Sequence, residues 1–153
     1  MNLVGGFWDT IKSAPMAFKR LFIHDPEPLS KQTFKGLYEI DWAPEGSNER
    51  KLQADTIYCW EELLTVYEAR KRTAGAVKLE ELLTFISSCD RIPPTGFEDH
   101  IKITFVKTEN ERRYPSSSTC GMELVLPYPI TEPDDFQRLM DEAIHEAQGF
   151  YKP

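Results

Sequence analysis

The chain has 153 residues, 41% hydrophobic and 28% charged, which excludes global disorder and sets an expectation of one domain with at most a small extension. No apolar run approaches the roughly 20 residues of a membrane span, and the apolar opening MNLVGGFW has neither the basic flank nor the length of a secretory signal. The net charge is −7, and the three cysteines are an odd number without a CxxC pair. These argue against nucleic acid or a membrane as main partner, and for a reduced, intracellular (cytoplasmic and/or nuclear) protein rather than a disulfide scaffold.

Apolar residues recur at helical spacing from Phe7 to Phe22, interrupted at Ser13-Ala14-Pro15. Proline fits only the first turn of a helix, so the pattern predicts a break and a second short helix from about Pro15 to Phe22. This apolar segment is expected to cover a core rather than to dock another chain. Asp25-Pro26-Glu27-Pro28 reads as a stiff connector. Ser30 is placed to cap a short helix running to about Leu37. The turn-rich Pro44-Glu45-Gly46-Ser47 reads as a linker or hinge.

From Ser47 to Arg72 the spacing of Ile57, Trp60, Leu64 and Tyr67 predicts one long helix. A shorter helix over 79–88 carries Leu79, Leu82, Leu83 and Ile86 on one side. His100 to Lys107 alternates apolar and polar, as does Met122 to Leu126, and both predict half-buried strands, the second ended by Pro127. Thr131-Glu132-Pro133-Asp134 has the spacing of a capping box and opens a last helix with Phe136, Leu139, Met140, Ala143 and Ile144 inward. Gly149 sits where a C-terminal cap belongs. Helices first, then strands, then a helix make the fold class α+β.

Cysteine is the strongest candidate nucleophile, since the thiolate is intrinsically reactive. A lone cysteine is most often a small buried hydrophobe. Cys59 lies inside the long helix and Cys89 at the end of an apolar one. Cys120 differs: it follows Ser116, Ser117, Ser118 and Thr119 in a loop just before a strand, where solvent reaches a thiol. No local signature ties His24, His100 or His145 to it as a base, and His145 reads as a solvated surface residue. Cysteines and histidines lack the paired spacing of a zinc site, and no glycine-rich phosphate loop occurs.

Five segments, in order over roughly residues 48–153, resemble the C-terminal lobe of HECT ubiquitin ligases. The stretch Leu79–Phe97, LEELLTFISSCDRIPPTGF, resembles the family's "FLxFvTGssRxPxxGF" segment, and Pro115–Cys120, PSSSTC, resembles its "LPTSHTC" catalytic loop. Glu123–Pro127 follows as in "xLxLPxY", Gly149-Phe150 matches the "GFG" close, and Ala54–Glu61 resembles the "vixxFWe" helix that opens the lobe. The resemblance implies a small HECT C-lobe-like domain over 48–153, a hinge-like linker at 44–47, and an N-terminal helical segment at 1–43 as a remnant of the N-lobe.

The resemblance also implies a transferase without cofactor or metal. Cys120 would accept ubiquitin as a thioester from a ubiquitin-conjugating enzyme and pass it to a lysine of a protein substrate. Ser118 and Thr119 would shape the loop, and Phe150 would assist the transfer. Two positions depart from the family pattern: Ser118 stands where His or Asn is usual, and Gly121 where a bulky residue commonly follows the cysteine. Both bear on loop rigidity and thioester reactivity rather than on the fold. A full HECT domain is more than twice this length, and residues 1–40 resemble at most the last piece of the conjugating-enzyme-recruiting half. A non-catalytic ubiquitin-binding or regulatory module with the same fold is the alternative that such a chain leaves open.

Overall fold

The computed structural model describes residues 28–149. The helices expected between residues 7 and 22, His24 and Phe150 lie outside the described residues. In chain order the elements are α1 (Lys31–Lys35), β1 (Tyr38–Ile40), α2 (Asn48–Ala69) with a 3-10 turn over Arg70–Arg72, α3 (Leu79–Ser87), β2 (Ile101–Lys107), β3 (Ser116–Ser118), β4 (Glu123–Tyr128) and α4 (Pro133–Gly149). The four strands form one sheet in the order β1-β2-β4-β3. β1 and β4 both run parallel to β2, whereas β3 is antiparallel to β4. The class is α+β.

One side of the sheet makes the core. Ile101, Ile103, Leu124 and Leu126 are at most 1% exposed, while their neighbours Lys102, Thr104, Glu123 and Val125 are exposed or half-buried. That alternation is the period of a strand with helices on one face only. The helices supply Trp60, Leu63, Leu64 and Tyr67 from α2, Leu82, Leu83 and Ile86 from α3, and Phe136, Met140 and Ile144 from α4. Phe105, which the alternation of His100 to Lys107 puts on the apolar face with Ile101 and Ile103, is only half-buried. It lies at the end of β2 against Trp42 and Tyr128, with ring centroids 5.9 and 5.8 Å away.

The caps show why the helices start where they do. Ser30 Oγ accepts from the Thr33 amide and Ser47 Oγ from the Arg50 amide. At α3 the Glu81 carboxylate accepts from the Lys78 amide at 3.0 Å. The capping box expected at Thr131 is not the one formed. α4 begins at Pro133, and the Glu132 carbonyl accepts from the Phe136 amide at 3.1 Å. Proline is preorganised for the first helical position, so it moves the boundary one residue along.

Two strands were not foreseen, and each has only three residues. β1 is the sheet edge beside β2. The turn at 44–47, expected as a hinge-like linker, has Gly46 at φ +80° and Ser47 as the cap of α2. The chain on both sides of it contributes to one core: Leu29 and Phe34 before it are buried together with Trp60 after it. Phe34 and Tyr38 both pack on the Trp60 ring, at 6.1 and 5.7 Å. Around this contact Tyr38 donates to Glu61 at 2.8 Å, Lys35 pairs with Glu61 at 2.9 Å, and Lys31 Nζ donates to the Glu61 carbonyl at 2.9 Å. Burial alone would raise the Glu61 pKa, but the bonds from Lys35 and Tyr38 and the charges of Lys35 and Lys31 hold it below the usual value.

Pro127 does not end its strand. It pairs with Val106, and β4 runs on to Tyr128. The carbonyls of Met122 and Tyr128 accept from β2-side amides of Lys102 and Thr108, so the even-numbered residues of β4 bond toward β2. Pro127 therefore faces the β3 side, past Val125, where β3 has already ended. No donor is needed there, and proline is tolerated.

Candidate active site

The three cysteines occupy three environments: Cys59 is buried, Cys89 intermediate and Cys120 exposed. Cys59 is fully enclosed by α2 and the segment after β4, and its thiol points to the Ile130 carbonyl at 3.6 Å. Burial, with the negative charges of Glu132 and Asp55, pushes that thiol up to about 11. A thiol so held is protonated at neutral pH and out of reach, and is a packing group.

Cys120 sits in the turn between β3 and β4. Ser118 pairs with Glu123 across the hairpin, leaving Thr119, Cys120, Gly121 and Met122 as the connection. Ser118 is exposed, Thr119 half-buried and Cys120 exposed. The hairpin therefore brings Ser118, Thr119 and Cys120 together. His145 is exposed on α4, with Nδ1 at 2.7 Å from the Asp141 carbonyl, and His100 is exposed just before β2.

Two features fix the hairpin. Ser117, between two exposed serines, turns inward and donates to the Phe85 carbonyl at 2.5 Å. This ties β3 to the last turn of α3, whose carbonyls lack helical partners. Met122 holds φ +47°, a left-handed conformation that costs a non-glycine residue on the order of 1–3 kcal/mol. Its carbonyl accepts from the Lys102 amide at 2.9 Å and its side chain packs against the core. The strain is thus clamped from both ends, two residues from the thiol. Sequence reading missed Ser117, because three identical serines show no polarity contrast to mark the inward one.

Gly121 is not required by the turn. Its φ is not positive, and an added Cβ would meet only Ser118 Oγ at 3.7 Å, an ordinary contact. The small residue after the cysteine opens the surface there without any steric demand for it.

Thr119 also lines a groove of about 600 Å³ between α3, β3 and the second half of α4. Its lip is made by the segment before β3: Arg112 and Tyr114 both donate to one oxygen of Glu142, at 2.9 and 2.8 Å. The Glu142 bond raises the Tyr114 phenol pKa. Among the described residues no helix is long and apolar enough to cross a membrane.

The α+β class of the described residues is the one that the resemblance implies. Residues 68–152 match the HECT-domain (ubiquitin-transferase) family, and the chain belongs to that family. It is also similar to proteins named G2/M phase-specific E3 ubiquitin-protein ligase: 27% identical over 142 residues in both the Macaca fascicularis and Homo sapiens proteins, covering 93% of this chain. The Gallus gallus protein of that name is 32% identical over 131 residues, covering 86% of this chain. The chain spans only 18% of the length of the two primate relatives and 16% of the chicken one. The resemblance on Leu79–Phe97 and Pro115–Cys120 thus leads to the right family.

Proposed function

We propose that Cys120 accepts ubiquitin from a ubiquitin-conjugating enzyme as a thioester and passes it to a lysine of a protein substrate. The single observation that carries this reading is the contrast among the thiols: Cys120 is exposed on the hairpin, whereas Cys59 is buried with its pKa pushed up to about 11. The Cys120 thiolate attacks the carbonyl carbon of the incoming thioester. A carbon–sulfur bond forms to Cys120 as the one to the donor breaks, and the donor sulfur leaves as thiolate. Because one thioester replaces another, the step needs no external energy source. Lysine attack then releases Cys120.

Ser118 and Thr119 set the path of the turn, and Phe150 assists the second step. Ubiquitin, a conjugating enzyme and a protein substrate are the partners of this reading, and the inside of the cell, cytoplasm or nucleus, is its setting. The test is to mix the protein with a ubiquitin-charged conjugating enzyme, alone and joined to a complete HECT N-lobe. A reducible ubiquitin adduct, absent from Cys120→Ala, is the expected result. An adduct that survives Cys120→Ala, or none even with the N-lobe joined, overturns the reading. Phe150→Ala is expected to keep the adduct and slow its discharge to lysine.

A further inference from the structure

The groove beside the hairpin is sorted by chemistry. Phe85, Pro115, Ala143 and Ala147 give it apolar walls, and Glu81 and Glu146 give it two carboxylates; among the described residues no Lys, Arg or His lines it, and Arg112 at the lip is paired with Glu142. Glu81 is held in place by the Lys78 amide at 3.0 Å, and Glu146 is exposed on α4. An apolar trough with charge of one sign suits a long basic side chain, whose stem packs on the walls while its head meets a carboxylate. Thr119 forms part of the trough and directly precedes Cys120, so the trough reaches to one residue from the thiol-bearing position.

We infer that this groove seats a short basic and apolar segment of the acceptor protein, next to the lysine that takes ubiquitin. This rests on the acceptor role proposed for Cys120. The basic side chain in the groove is not the one that reacts, because a cation held by carboxylates has no free electron pair. The reacting lysine is a neighbour in its neutral form. Its nitrogen attacks the Cys120 thioester carbonyl, the carbon–nitrogen bond forms, the carbon–sulfur bond breaks, and sulfur leaves with the electron pair. The proton lost from nitrogen goes to the thiolate or to water.

The test needs no thioester. A labelled peptide with lysine flanked by Leu and Arg is titrated by fluorescence polarisation against the full chain carrying Cys120→Ala, beside the same peptide with Glu for Arg. The basic peptide is expected to bind and the acidic one to fail. Glu146→Arg is expected to weaken binding about tenfold, Glu146→Gln about threefold, and the distant Glu39→Arg not at all. Equal binding of both peptides, no binding, or insensitivity to both Glu146 variants overturns the groove assignment. Because Cys120→Ala forms no thioester, those outcomes are independent of the acceptor role, which is decided by the adduct assay on the wild-type chain.

Discussion

Cys59 and Cys120 are the same side chain in opposite surroundings. Cys59 lies in the helical body, against α2 neighbours and the Ile130 carbonyl, and its proton is held to about pH 11. Cys120 lies four residues beyond Ser116, on a turn whose flanks are fastened and whose tip is open. The difference shows that residue type does not make a thiol available; the backbone that carries it does. Burial surrounds Cys59 with packing that tolerates little change, whereas the hairpin keeps its clamps at Ser117 and Met122 and leaves the Cys120 side chain between them exposed.

The largest expected effect lies in the body. Trp60→Ala removes a fully buried ring and should cost about 3–5 kcal/mol in urea unfolding, while Cys120→Ala should stay within about 0.5 kcal/mol. A comparable loss in both would break the contrast. The buried thiol should also show in alkali. Its pKa is raised on folding, so the stabilisation it gives is fully present below the unfolded value of about 8.5 and fades as pH rises through about 11. The urea midpoint of the wild type should therefore fall more steeply over that window than that of Cys59→Ala. At the hairpin, Ser117→Ala should cost about 1 kcal/mol and speed amide exchange in β3 more than in β2. A modest change of the opposite sign is expected at Gly121, where alanine fits without strain. Gly121→Ala should raise stability by about 0.4–1 kcal/mol, and a loss in thermal unfolding would show that the turn needs its glycine.

Much of this arrangement was legible in the sequence where a pattern ran long enough. α2 and α3 announce themselves by apolar spacing over two turns or more, and the cap at Ser30 is formed as expected. Strands of three residues carry too little alternation, so β1 and β3 escaped. The reading of Pro127 as a strand end failed because neither the order of the sheet nor the shortness of β3 is written locally. Cys120 stood out by its polar setting, and its exposure bears that setting out. The Ser117 bond to Phe85 spans 32 residues, a tertiary contact that no local pattern announces.

The most direct measurement uses ubiquitin carrying a thiol-reactive electrophile at its C-terminus, reacted with the folded chain and mapped by peptide mass spectrometry. The expected result is a single ubiquitin on Cys120, none on Cys59 before unfolding, and loss of the product in Cys120→Ala. Ubiquitin on Cys89 in preference, or failure of Cys120 to react while a small alkylating reagent modifies it freely, would contradict the assignment of Cys120 as the acceptor thiol.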